Sequence, residues 1–280
     1  MKYGLVLEGG AMRGIYTAGV LDVLSEEGIT FDGVVGVSAG AIHGCSFVSG
    51  QAGRSIRYYM KYSRDKHFMS VYSLLTTGSL VGEEFAYHDI PERLDPFDWE
   101  SFSANPTRFY VTCTNLETGR PEYIRIRDMY KDMDYMRASA SMPFVSPIVE
   151  RGGRKLLDGG VSDSVPLRAF ERHGYERNLV VLTRPAGYRK KPRKSSMASV
   201  FYRQYPEFVR TWNRRPQRYN RTMIYVEDRE AAGAAFVLRP SQDLGISRME
   251  NDPEKLYAQY ELGRIDCMMR LEELKKFLGR

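Results

Sequence analysis

Residues Gly36-Val37-Ser38-Ala39-Gly40 constrain this chain more than any other stretch. An apolar run, Val34-Val35-Gly36-Val37, feeds a serine with a glycine two residues to either side, and a small-residue segment from Ala39 to Gly44 follows. That order reads as strand, tight turn, helix, the context of a nucleophile elbow in which the turn exposes the serine oxygen at the edge of a sheet. Gly36 and Gly40 have a physical job there, because a β-carbon would fill the space where strand and helix backbones approach. The five-residue pattern also arises by chance in glycine- and serine-rich chains, so its surroundings carry the inference.

A similar unit precedes it. Tyr3 to Glu8 is expected to be a buried strand running into Gly9-Gly10-Ala11-Met12-Arg13-Gly14. Ile15, Ala18, Val20, Leu21 and Leu24 then recur near helical spacing, with Gly28 as terminator. Ile29 to Val37 gives the next strand. Two successive strand-turn-helix units predict a parallel α/β sheet with both special loops at its carboxyl edge, where such sheets place their sites. A glycine loop opening a helix offers N–H groups to an anion. A dinucleotide-binding reading fits poorly, since Ala11 stands where that spacing needs glycine and Asp32 matches the ribose-binding acid only loosely. The same donors suit the oxyanion of a tetrahedral intermediate, each being worth about 3 kcal/mol of barrier.

Residues 55–99 are aromatic and less regular, and core helices explain them better than a lid or acyl groove. Arg108 to Thr114 and Tyr123 to Ile126 predict a hairpin extending the sheet. Met129 to Ala140 is expected to be helical, and Asp158-Gly159-Gly160 follows a tight turn at 151–154. Asn178 to Thr183 and Ala234 to Arg239 read as strands, Gln217 to Ala232 as a helix. A last helix begins at Asp252-Pro253-Glu254 and carries an apolar stripe through Leu278.

A chain of 280 residues with 42% hydrophobic content can bury a large core. Its N-terminal apolar run is too short for a signal peptide, and no segment supplies the roughly eighteen apolar residues of a membrane span. A cytoplasmic protein is expected, with peripheral attachment at the inner face of the membrane as an option. Cys45, Cys113 and Cys267 show no ligand spacing, so buried free thiols are expected and no metal is implied. Between Arg184 and Arg221 the chain carries twelve Lys/Arg against a single acid, Glu207, interleaved with aromatic residues. A basic, aromatic-rich surface suits an anionic membrane, and equally a nucleic acid, the less favoured partner here. A solvated segment with no partner accounts for it as well.

A serine nucleophile needs a base. Among His43, His67, His88 and His173, only His43 lies close in sequence, and a helix-face histidine is more often packing than chemistry. Asp158 and His173 together would complete a Ser, Asp, His order, but the elbow follows the second strand rather than a central one, which counts against that fold. The glycine loop after the first strand, G-x-S-x-G after the second, Ser139-Ala140-Ser141-Met142-Pro143 and the downstream Asp158-Gly159-Gly160 together resemble the patatin-like phospholipases, specifically their bacterial esterase members. The resemblance implies a three-layer α/β/α sandwich with a mostly parallel central sheet over residues 1–245, and residues 246–280 as a helical extension packed on the same domain. It implies a lipase- or phospholipase A-type serine hydrolase of fatty acyl esters of lipids or phospholipids, working through a Ser-Asp dyad without cofactor.

Carried over, Ser38 is the nucleophile and Asp158 the base. Backbone N–H groups of Gly9, Gly10 and Ala11, with Arg13 nearby, form the oxyanion hole, and Gly14, Gly36, Gly40, Gly159 and Gly160 are motif glycines. Ala11 departs from the family pattern, which has glycine there. If its φ is positive, alanine costs about 1–2 kcal/mol. The dyad further demands a desolvated Asp158 beside Ser38, because an ordinary aspartate is a weak base. A catalytically silent lipid-binding protein on the same fold is the alternative.

Overall fold

The computed structural model describes residues 1–192 and 196–280. Eight strands form one sheet: β1 (Tyr3–Leu7), β2 (Gly33–Gly36), β3 (Arg108–Asn115), β4 (Pro121–Ile126), β5 (Val149–Arg151), β6 (Arg154–Asp158), β7 (Arg177–Val181) and β8 (Ala235–Leu238). Their order is β5-β6-β3-β2-β1-β7-β8, with β4 also on β3. β3, β2, β1, β7 and β8 are parallel, whereas β4, β5 and β6 are antiparallel additions at one side. The sheet is therefore mixed with a parallel centre.

The helices are α1 (Ile15–Glu26), α2 (Ala39–Val48), α3 (Arg54–Tyr62), α4 (Val71–Thr77), α5 (Trp99–Ala104), α6 (Met133–Ala140), α7 (Leu167–Arg172), α8 (Ser196–Phe201), α9 (Pro206–Ala231), α10 (Pro253–Met269) and α11 (Leu271–Phe277). A 3-10 turn at Ala11–Gly14 leads into α1, and a wide π-type coil spans Phe85–Leu94. Strand alternation divides the core into two layers. Leu5, Leu7, Val34, Leu179, Val181 and Leu238 face one side with α1, α2, α6, α10 and α11. Val6, Val35, Val180, Leu182 and Val237 face the other with α7 and α9. This is the expected α/β/α sandwich.

Three expectations change. α9 starts at Pro206, eleven residues before the expected Gln217, and runs through Pro216. A proline costs a helix one hydrogen bond and a clash, but Phe208, Thr211, Tyr219, Met223 and Val226 are buried along its length and hold it. The last helix is two, broken at Arg270 (φ −111°). The aromatic region is both helical and cavity-forming, since α3 and the π-type coil line a pocket. The three cysteines are free and buried, and no described helix is long and apolar enough to cross a membrane.

Candidate active site

The register on β3 explains how Ser38 and Asp158 meet. β4 occupies one edge of β3 from Phe109 to Thr114, so β2 and β6 must share the other. β2 ends there with Gly36 opposite Val111, and the antiparallel β6 ends with Asp158 opposite Cys113. Two strands running toward each other thus stop two residues apart on one rail, with Ser38 just past one end and Asp158 at the other.

Ser38 sits at φ 53°, ψ −123°, a conformation unfavourable to a side chain and maintained by its surroundings. Its N–H donates to Ser139 Oγ (3.0 Å), and that hydroxyl donates to the Thr112 carbonyl (2.8 Å). Its carbonyl accepts from Ala41 and Ile42 at the start of α2. The flanking glycines are forced by contact, since a β-carbon on Gly36 would lie 2.4 Å from Ala41 Cα and one on Gly40 2.6 Å from the Leu7 carbonyl oxygen. Ser139 was part of a recognised sequence segment, but its bond to the elbow depends on the folding of α6 against β3.

Asp158 is buried, at 8% exposure. Its Oδ1 accepts from the Gly160 N–H at 2.7 Å, and its backbone N–H donates to the Ser141 carbonyl. Burial raises its pKa above the ordinary aspartate value, while the Gly160 N–H, Arg215, the Ser38 hydroxyl and Arg248 oppose the rise. The carboxylate is therefore recessed, next to the serine, and more basic than a free one.

No described histidine engages either group. His43 is buried on α2, shares a 2.9 Å hydrogen bond with Ser55 Oγ, and is held neutral by burial, with its pKa pushed down to about 3. His173 bonds the Ala169 carbonyl at 2.8 Å and packs on Tyr110 and Tyr123. His67 and His88 pair with Asp65 and Glu92 at the surface. The Asp158–His173 pairing is thus not assembled.

The glycine loop crosses beside the elbow. A β-carbon on Gly9 would lie 3.3 Å from Ser38 Cβ, and one on Gly14 2.5 Å from Ala39 Cβ. The Gly9 N–H is directed to the Ser164 carbonyl at 3.4 Å. Among the described residues the N–H groups of Gly10 and Ala11 meet no acceptor. Ala11 has φ +50°, so alanine occupies the conformation that favours glycine. Arg13 is buried, its Nε without a partner. Gly159 packs against the Thr112 carbonyl, where a β-carbon would clash at 2.1 Å, and Gly160 supplies the N–H that Asp158 accepts.

Ser38 and Ala11 line a cavity whose other walls are mostly apolar and aromatic, among them Ile42, Tyr58, Tyr59, Phe68, Ile90 and Met136, with the buried Arg54 as a charged member paired to Asp95. The basic stretch 184–221 is not one solvated face. Arg215 donates to the Gly160 carbonyl, Arg218 to the Ser162 carbonyl, and Arg184 and Arg189 pair with Asp243 and Glu227. Tyr202, Tyr205, Phe208 and Tyr219 are buried. Lys191, Arg203, Arg210, Arg214 and Arg221 remain exposed, and Arg193 and Lys194 lie outside the described residues.

The model of the patatin-like phospholipase family matches residues 5–171, and that of a domain of unknown function, DUF6363, matches residues 205–279. The uncharacterized protein YjjU of Escherichia coli is 28% identical over 190 residues, 66% of this chain and 53% of YjjU. The lysophospholipases NTE1 of Eremothecium gossypii and Saccharomyces cerevisiae are each 30% identical over 61% of this chain, and 11% and 10% of their own lengths. The chain thus matches about half of the one relative and about a tenth of the others.

Proposed function

The chain belongs to the patatin-like phospholipase family, and from that premise we propose that it is a lipid acyl-ester hydrolase with Ser38 as nucleophile and Asp158 as base. The observation that carries the reading is the recessed Asp158 carboxylate beside the Ser38 hydroxyl, with Ser38 itself lining a largely apolar cavity. Ser38 Oγ attacks the ester carbonyl while its proton passes to Asp158. The tetrahedral oxyanion lies against the glycine loop. Gly10 and Ala11 are its chief donors, since their N–H groups are uncommitted, whereas that of Gly9 faces Ser164 and Arg13 adds positive charge nearby. Collapse returns the proton from Asp158 to the leaving alcohol oxygen and leaves an acyl ester on Ser38. Water, deprotonated by Asp158, then releases the fatty acid and restores the serine hydroxyl. The acyl chain fits the largely apolar cavity, whose charged lining residue, Arg54, is already buried and paired with Asp95.

Hydrolysis of nitrophenyl acyl esters and of lysophospholipids tests this. Ser38→Ala and Asp158→Asn are each expected to lower kcat by about 10³-fold or more, because members of one catalytic unit fail together. His173→Ala should retain turnover. Full activity in Ser38→Ala, or loss in His173→Ala to the Asp158→Asn level, contradicts the assignment. A wild type that binds lipid but hydrolyses none of these esters is the silent lipid-binding protein instead.

A further inference from the structure

Five cations gather on the site without lining its apolar cavity: Arg13, Arg184, Lys190, Arg215 and Arg248. Arg215 Nε donates to the Gly160 carbonyl at 2.6 Å, and its Nη2 stands 3.5 Å from where a Gly160 β-carbon would be, itself 2.9 Å from Asp158 Oδ1. Arg13 is buried with Nε unpartnered, and it feels the charges of Arg184, Arg248 and Glu8 most strongly. Lys190 lies 3.6 Å over the Tyr219 ring and feels the charges of Arg215, Glu8, Arg248 and Arg13.

The anions present do not balance this set. Glu8 is already occupied by the Thr183 N–H, the Thr183 hydroxyl and the Tyr219 hydroxyl. Among the described residues, Arg184 alone of the five reaches a carboxylate, Asp243 at 3.6 Å. Burial first, and then neighbouring cations, lower the pKa values of Arg13, to about 10, and of Lys190 and Arg215. Asp158 and Glu8 offset part of this charge, but five cations, of which Arg13 is buried and Arg248 exposed, outnumber them and Asp243 together. Like charges so collected repel one another, and an anionic ligand supplies the remaining counter-charge. A zwitterionic headgroup fits worse. Its ammonium would need a free carboxylate or an open aromatic face, but Arg184 covers Tyr188 at 4.6 Å and Lys190 covers Tyr219.

We propose that Arg13, Arg184, Lys190, Arg215 and Arg248 form a phosphate subsite across the ester-cleaving serine from the apolar cavity, selecting acyl esters whose headgroup is a phosphate monoester. The proposal rests on the hydrolase reading and sharpens its substrate class. Arg215 and Arg248 fall within 205–279, so the downstream module would complete a site begun by the upstream one.

Two measurements on the full chain separate the subsite from the chemistry. Titration of glycerol 3-phosphate and of inorganic phosphate into Ser38→Ala reads binding alone. Glycerol 3-phosphate is expected to bind more tightly than inorganic phosphate, and at least tenfold more weakly when Lys190→Gln and Arg248→Gln are added. The second is the ratio of kcat/KM for lysophosphatidic acid to that for lysophosphatidylcholine and for monoacylglycerol of the same chain length. The ratio should favour the phosphate monoester tenfold or more, and should fall at least tenfold, through KM, in the Lys190→Gln/Arg248→Gln protein. Equal kcat/KM for the three esters, or a preference that survives both substitutions, overturns the proposal. So does inorganic phosphate binding as tightly as glycerol 3-phosphate, which marks a site for the free ion. Binding that behaves as expected while no ester is cleaved leaves the subsite standing and refutes the hydrolase reading.

Discussion

At the smallest scale, two residues of the proposed site each carry a cost. Burial penalises the ionised form of Asp158 and raises its pKa. A carboxyl of this kind favours the folded state only while protonated; that contribution is present at low pH and is lost as pH rises through the raised folded value. Two outcomes follow. The acid limb of the kcat/KM profile should have its midpoint above the ordinary aspartate value of about 3.9, activity falling as pH drops through it. Asp158→Asn, which keeps an oxygen acceptor for the Gly160 N–H, should unfold in urea at the same or a higher midpoint than wild type at pH 7 while being inactive. A clear fall in that midpoint would mean that the carboxylate is structural. Ala11 occupies φ +50° with a β-carbon. Ala11→Gly should raise stability by up to about 1 kcal/mol, the left-handed penalty less the entropy of glycine, without loss of kcat. A tenfold loss would show that the strain positions the N–H. The sequence could name Ala11 as a departure but not its φ, which the path from β1 into the 3-10 turn decides.

Between elements, the interlock of α1 and α10 ties the chain's C-terminal part to its first strand-turn-helix unit. A β-carbon on Gly19 would lie 2.1 Å from the Tyr260 carbonyl oxygen, and one on Gly263 2.1 Å from that of Tyr16. The two backbones therefore touch, and Tyr260 and Tyr16 hydroxyls bond Asp22 and Asp266 across the contact. Gly263→Val should cost about 2 kcal/mol or more by overpacking, measured as a urea midpoint shift. A cost under 0.5 kcal/mol would mean that the helices slide freely. Elements were legible where periodicity was local, as in β1, α1 and the hairpin of β3 and β4. The elbow was legible because glycines mark it. What stayed hidden lies in pairings distant in sequence. Nothing near Asp158 announces that β6 ends on the same edge of β3 as β2, or that Arg215 and Arg248 approach its carboxylate. α9 runs eleven residues further toward the N-terminus than expected, through Pro216, because tertiary burial outweighs one lost hydrogen bond.

For the molecule as a whole, two short helices carry apolar residues left outside the core. Val71, Tyr72 and Leu75 on α4 and Met197, Val200 and Phe201 on α8 are exposed. α8 reaches the loop after α6 through Phe201 on Phe144, and the segment after α4 reaches it through the Leu80 N–H on the Val145 carbonyl. Met142 of that loop lines the cavity. Exposed Lys191 and Arg203 flank α8, an arrangement suited to an anionic bilayer surface. Leu75→Asp and Phe201→Asp should each weaken co-sedimentation with phosphatidylglycerol vesicles about tenfold or more, from the roughly 2 kcal/mol of burying one such side chain. Retention equal to wild type, or no co-sedimentation of the wild type, would contradict membrane contact through α4 and α8. All of this presumes an active serine, and that is tested most directly by reacting the intact protein with a fluorophosphonate and locating the adduct by mass spectrometry. The expected result is a single adduct on Ser38, formed at least 100-fold more slowly in Asp158→Asn. An unmodified Ser38, or labelling unaffected by loss of the Asp158 carboxylate, would contradict the Ser38–Asp158 assignment.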